Sequence, residues 1–196
     1  MRRHSAAAVV WLTILVSLGA PAAFGADRPG SPSGLPDFRL SNWDGREVSR
    51  ASLEGQRTIA VFTYAKCIFA CPMITFLLGD LDSDLGSPAD LRYLHISVNS
   101  KEDTGAEIRE HFRKHDIDPV SDPRWLFLNG PDTDIARLLD DLDIDVEKRD
   151  VEGGWVIEHT IRVYVLGPDT NTITSFDTFH WPREEMLHAL QSTLQP

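Results

Sequence analysis

Thr58-Ile59-Ala60-Val61-Phe62-Thr63-Tyr64-Ala65-Lys66-Cys67-Ile68-Phe69-Ala70-Cys71-Pro72-Met73 holds an unbroken apolar run, the chain's only two cysteines and the opening of a helix. The run from Thr58 to Phe62 reads as a short buried strand, and the residues from Met73 to Leu78 read as helix. Proline is preferred at a first helical position, where its missing N–H has no intrahelical partner to lose, so Cys71 falls at or beside the N-cap. Both thiols therefore stand where a strand hands over to a helix. That helix end carries unpaired N–H groups and the positive pole of the macrodipole, which favour thiolate over thiol. Thiolate is the form that attacks disulfides and binds metals.

The spacing narrows the chemistry. In a helical turn, residues four apart hold their Cβ atoms roughly 5–6 Å apart, whereas a disulfide wants about 3.5–4.5 Å. Such a pair suits an ion held between two sulfurs. An irregular turn over Ile68-Phe69-Ala70 brings the disulfide within reach, so both states are expected. So short a loop constrains the unfolded chain little, which argues against a purely stabilising disulfide. Soft sulfur favours Cu(I) or Zn, and two thiolates leave the coordination incomplete. A third ligand must come from elsewhere in the chain.

Outward from this stretch, strands and helices alternate. Phe38 to Leu40 and Arg46 to Val48 flank the turn Asn42-Trp43-Asp44-Gly45, a hairpin signal. Leu91 to Val98 alternates as a strand does, the stretch from Lys101 to His115 has helical character, and Trp125 to Leu128 is a further short strand. Ile135, Leu138, Leu139 and Leu142 mark another helix. Gly153-Gly154 breaks the chain before Trp155 to Ile157; Ile161, Val163 and Val165 then alternate up to a turn at Gly167 to Asn171. A last strand, Thr172 to Phe176, precedes a helix from Glu184 to Leu194. The order predicts an α/β sandwich around a mixed central sheet, with the cysteines at the tip of the first long helix, a thioredoxin-like arrangement.

The 196 residues, 42% hydrophobic and 25% charged, suit one globular domain. Met1-Arg2-Arg3-His4 is basic and precedes an uncharged stretch from Ser5 to Ala26 that ends in small residues, the pattern of an export signal cleaved after Ala22 or Gly25. The alternative is an uncleaved anchor, since the stretch approaches the roughly 20 residues a bilayer needs. Residues 27–36, DRPGSPSGLP, read as a flexible linker, leaving 37–196 as the domain, placed in a periplasm. Cleavage removes two arginines and no acid, moving the net charge from −11 to −13. A domain so acidic is not a non-specific nucleic-acid binder, and it meets a membrane only through an uncleaved leader.

The residues carry a resemblance. Val61-Phe62-Thr63-Tyr64 leading into Cys67-Ile68-Phe69-Ala70-Cys71-Pro72-Met73 looks like the C-x-x-x-C-P motif of the Sco/SenC family. Ile96 to Thr104 is similar to that family's middle segment, and Glu158-His159-Thr160, about ninety residues after the cysteines, to its D/E-H-S/T segment. The pairing of the two outer motifs is far more specific than C-x-x-x-C alone. Ile68 stands where many members have Pro, the residues between the cysteines lack the common acid, and Asn99, Ser100 and Gly105 replace Asp, Pro and Pro. The resemblance implies a thioredoxin-like copper chaperone for assembly of the dinuclear copper centre of cytochrome c oxidase, or a role in copper homeostasis. It implies one copper ion, Cu(I) preferred and Cu(II) accessible, held by Cys67, Cys71 and His159. The implied partners are a copper-recipient protein such as an oxidase subunit and a thioredoxin-like thiol reductant that reopens the disulfide.

Read from the residues themselves, His159 lies at a hairpin edge where a loop can swing over a helix end, and a neutral imidazole completes a two-sulfur, one-nitrogen site. His95, His111, His115, His180 and His188 read as ordinary structure, His111 and His115 on a solvated face of a charged helix. Asp140 to Asp145 lacks the glycine and bidentate glutamate of a calcium loop. The rival function is enzymatic, a thiol–disulfide oxidoreductase with Cys67 attacking and Cys71 resolving. A peroxiredoxin-type peroxidase fits less well, because Tyr64 and Ala60 occupy its Thr and Pro positions, and a metal sensor or store shares the same ligands.

Overall fold

Arg57–Thr63 is buried along its whole length, as an unbroken apolar run requires of a strand covered on both faces. In this computed structural model, which describes residues 33–193, the elements follow as β1 (Arg39–Asn42), β2 (Glu47–Ser49), β3 (Arg57–Thr63), α1 (Ala70–Asp84), β4 (Leu91–Ser97), α2 (Gly105–Arg113), β5 (Trp125–Asn129), α3 (Asp132–Asp141), β6 (Val146–Val151), β7 (Gly154–His159), β8 (Val163–Leu166), β9 (Thr172–Phe176) and α4 (Arg183–Ser192). Helices α1 and α2 form the crossovers that let β3, β4 and β5 run parallel. Hairpins extend both edges with antiparallel strands, giving a seven-stranded mixed sheet in the order β2-β1-β5-β4-β3-β8-β9. The expected α/β sandwich is what the chain forms.

Alternate residues of the central strands feed two cores. Ile59, Val61, Tyr93 and Phe127 meet Ile74 and Leu78 of α1, Phe112 of α2 and Met186 of α4 on one face. Ala60, Phe62, Leu94 and Leu128 meet Leu138 and Leu139 of α3 on the other. The second layer also takes in Tyr64, Cys67, Cys71 and Ile157, so the cysteines form the end of a core rather than an appendage to it. Large parallel-strand sheets place their functional loops beyond the carboxyl ends of the strands, and the loops after β3 and β4 meet there.

Local chemistry shifts several boundaries. Helix α1 starts at Ala70, so Cys71 is its second residue and Pro72 its third, still within the first turn where a missing N–H is tolerated. Helix α2 starts at Gly105, four residues later than the periodicity from Lys101 suggests. Thr104 and Glu107 form a reciprocal capping box that fixes the start. Strand β6 was not foreseen; all six of its residues are exposed, so no alternation marks it. It pairs with β7 through a two-residue turn in which Gly153 has φ +88°, a conformation that favours glycine. The anticipated leader, residues 1–26, and most of the linker lie outside the described residues. The linker's end does not: the Leu35 N–H donates to the Thr170 carbonyl at 3.1 Å, and Gly34 bridges Asn171.

Candidate metal centre

The turn between β3 and α1 is irregular, and three buried side chains hold it. The Cys67 N–H closes the turn onto the Tyr64 carbonyl at 3.1 Å. Asp103, beyond the end of β4, accepts the Ala65 N–H at 2.9 Å and the Ser97 hydroxyl at 2.6 Å, fixing the loop against its parallel neighbour. Within α1, the Thr75 hydroxyl donates to the Cys71 carbonyl at 3.0 Å. Since that uses its one proton, His111 must donate from Nε2 to the Thr75 oxygen at 2.9 Å. Burial holds the His111 ring neutral, down to about 4. The expectation of a solvated His111 is thus corrected: only 3% of the residue is exposed, because α2 turns this side onto α1. His95 is also internal, stacked on Phe127 within the sheet layer.

Cys67 and Cys71 are free, buried thiols that face one another. The Cys67 sulfur is pulled down to about 6, first by the hydrogen bond from the Cys71 thiol, and further by the backbone N–H groups of Cys71 and Phe69 and by the Tyr64 hydroxyl, against the opposing cost of burial. Cys71 is pushed far up by that same bond and by burial. The pair therefore shares one proton near neutrality, with the charge on Cys67. The helix-end effect expected of this motif acts on Cys67, whose sulfur lies in front of the first N–H groups of α1.

His159 ends β7. Its Nδ1–H donates to the Thr160 carbonyl at 2.9 Å, an acceptor only, so Nε2 keeps the lone pair. Burial lowers the ring's proton affinity, leaving it neutral. The hairpin of β6 and β7 is a two-stranded sheet of its own. Its base is tied by Thr160 N–H to the Asp145 carbonyl at 2.9 Å and Asp145 N–H to the Thr160 hydroxyl at 3.0 Å. Ile157 is its buried anchor, and its N–H donates to the Tyr64 hydroxyl at 3.4 Å. Lys148 lies over the Trp155 ring and pairs with Glu102 at 3.1 Å, while Lys66 of the thiol loop pairs with Glu107 at 2.7 Å.

Of the three residues singled out from the sequence, the fold brings two together. Among the described residues no three Cys, His, Asp or Glu side chains converge on one point; the dithiol is assembled, and His159 stands apart on an arm with few anchors. The donor set nonetheless fits a soft ion, with one thiolate formed, one thiol ready to lose its proton, and one imidazole presenting a lone pair. Sequence reasoning missed Tyr64, Asp103 and Thr75. Asp103 and Tyr64 carried a signal, one an acid within the matched middle segment and the other the end of the lead-in to the matched cysteine motif; nothing marked Thr75.

Comparison with known proteins follows the same lines. A family model described as SCO1/SenC matches residues 26–195. A SCO1 protein homolog of Bacillus subtilis is 28% identical over 143 residues, covering 71% of this chain and 72% of that protein. The chain spans only about half the length of the mitochondrial SCO2 homologues it also matches. Among solved structures, a SCO1/SenC family lipoprotein of Bacillus anthracis superposes with TM-score 0.71 at 19% identity, covering 84% of this chain and 96% of that one. Arabidopsis thaliana ScoI with copper bound gives TM-score 0.69 at 20% identity, covering 83% and 98%. These structural likenesses establish the thioredoxin-like fold.

Proposed function

The chain belongs to the SCO1/SenC family, and from that premise we propose that it is a copper metallochaperone whose cargo ion is held by Cys67, Cys71 and His159. The observation that carries the reading is the presence, in one domain, of a half-ionised dithiol at a helix start and of a neutral histidine whose Nε2 has no partner among the described residues. Two structurally similar Sco proteins hold copper, and another is described as a member of a family of cytochrome c oxidase assembly proteins. The recipient is taken to be the dinuclear copper centre of that oxidase, or a periplasmic copper-handling protein.

In this mechanism the Cys67 thiolate meets the incoming cargo first, and Cys71 gives up its proton as its sulfur joins. His159 closes the site by movement of the β6–β7 arm, whose exposure and sparse anchoring make it a low-stability element. Soft sulfur favours Cu(I), and the nitrogen makes Cu(II) accessible. Delivery is ligand exchange onto the recipient's side chains. In an oxidising compartment the empty pair, one thiolate and one thiol, passes two electrons to an oxidant such as a partner protein's disulfide, releases its one remaining proton and closes to a disulfide; a thioredoxin-like dithiol reopens it by thiol–disulfide exchange, itself becoming the disulfide. Residues 1–26 are assigned as the export leader or inner-membrane anchor and 27–36 as the tether, whose Gly34 and Leu35 dock it onto the domain. Among the described residues no helix is long and apolar enough to cross a membrane.

A second reading has its own support. A low-pKa Cys67 followed by a buried Cys71 of raised pKa is the division of labour of a thiol–disulfide oxidoreductase, one sulfur attacking and the other resolving. Titration of the reduced protein with Cu(I) against a competing chelator separates the two. The chaperone binds one ion per chain, loses stoichiometric binding as Cys67→Ser or Cys71→Ser, and weakens at least about tenfold, roughly 1.4 kcal/mol, as His159→Ala. Equal affinity in His159→Ala removes the histidine from the site. No binding by the wild type, together with disulfide-reductase turnover, leaves the oxidoreductase.

A further inference from the structure

Tyr64 touches both parts of the proposed ligand set. It follows the last residue of β3 and is 4% exposed. Its hydroxyl receives the Ile157 N–H from β7, two residues before His159, and faces the Cys67 sulfur. Its ring lies 6.2 Å from that of Trp155 on the same strand.

The donor count makes the two contacts compatible. An amide N–H can only donate, so the phenol meets Ile157 with an oxygen lone pair and keeps its one proton. That proton is left to point at the Cys67 sulfur, which offers a lone pair as thiol or thiolate. Each bond thereby polarises the other in a buried setting. A phenylalanine would keep the ring packing and lose both bonds.

We infer that Tyr64 is a positioning residue for copper binding, its hydroxyl bridging the Ile157 amide to the Cys67 sulfur and so holding the His159 strand in register with the dithiol. The inference rests on the copper reading above. It makes the histidine's contribution depend on a group that is not itself a ligand, as outer-shell partners of metal sites commonly do, with losses of about 10–100-fold when they are removed.

The test is Tyr64→Phe in the reduced protein, read two ways. Amide hydrogen exchange in the metal-free protein is expected to speed up at Ile157 by at least about tenfold, while the β3 and β4 amides stay protected. Cu(I) affinity is expected to fall about tenfold in Tyr64→Phe, and the double variant with His159→Ala to bind no more weakly than His159→Ala alone, because the bridge acts through the histidine. Wild-type exchange at Ile157 in the variant, or losses that multiply in the double variant, overturns the role. Should Tyr64→Phe not fold, the wild type decides: Ile157 must exchange more slowly than Val151 and Gly154 at the hairpin's end, and equal rates overturn the bridge. A wild type that binds no Cu(I) overturns the copper reading with it; a wild type that binds, beside unchanged Ile157 exchange in the variant, overturns the Tyr64 role alone.

Discussion

Cys67 and Cys71 share one hydrogen bond, and the charge settles on Cys67 because it is the less buried of the two and faces the N–H groups that open α1. One proton between two sulfurs gives the pair an ionised member that attacks or captures and a protonated member that follows. The Cys67 thiolate is lost as pH falls through about 6, so the rate of alkylation by iodoacetamide in the metal-free reduced protein should rise with pH through that value and level off, with Cys67 modified before Cys71. A rate that climbs only near the ordinary thiol range, about 8.5, or first modification of Cys71, contradicts the assignment. The cysteine pair was legible in the sequence because its spacing is itself chemical information, whereas His159 was singled out through the resemblance of Glu158-His159-Thr160 to the family's segment. Which sulfur ionises was not legible, since it depends on how an irregular six-residue turn aims each side chain at α1. What Tyr64 holds was not legible for a similar reason: its partner amide lies ninety-three positions away.

The loop between β3 and α1 is held from outside itself. Asp103 receives the Ala65 N–H although burial, the largest influence, and repulsion from Glu107 and Glu102 raise its carboxyl to about 6 from 3.8. Between those two values the folded protein keeps a proton that the unfolded chain has released, so this group's stabilisation is full below about 3.8, declines as pH rises and is gone above about 6. Its ceiling is about 3 kcal/mol. Denaturant midpoints of wild type and Asp103→Asn measured from pH 7 down to pH 4 should therefore diverge, the wild type gaining by about 1–3 kcal/mol relative to the variant; a constant difference contradicts the raised carboxyl. Elements with a buried face were readable, as β3 and α3 show. Strand β6, VEKRDV, has no buried face to read. The start of α2 was readable in principle from Thr104 and Glu107, a threonine followed three residues later by glutamate, and was overridden by the helical look of the residues before it. His111 was misplaced because a strongly charged helix hides one polar residue turned inward to meet Thr75.

The alternation of strands and helices announced a mixed sheet, but strand order is set by contacts far apart in sequence, such as β1 joining β5 and β8 joining β3. That order has a functional consequence. It sets the thiol loop after β3 beside Asp103 after β4, and it brings the chain from the β6–β7 arm directly back into β8, the antiparallel neighbour of β3. The histidine arm is thereby tethered at the strand that ends in the thiols, while remaining outside the main sheet and free of its cooperativity. A rigid dithiol and a lightly held imidazole are what a carrier needs if it must both capture and release its ion. X-ray absorption at the copper edge of the reduced, Cu(I)-loaded protein tests this most directly: two sulfur neighbours and one imidazole nitrogen, with the nitrogen lost in His159→Ala, is the predicted result, and a coordination shell of sulfur alone in the wild type, identical in His159→Ala, would contradict it.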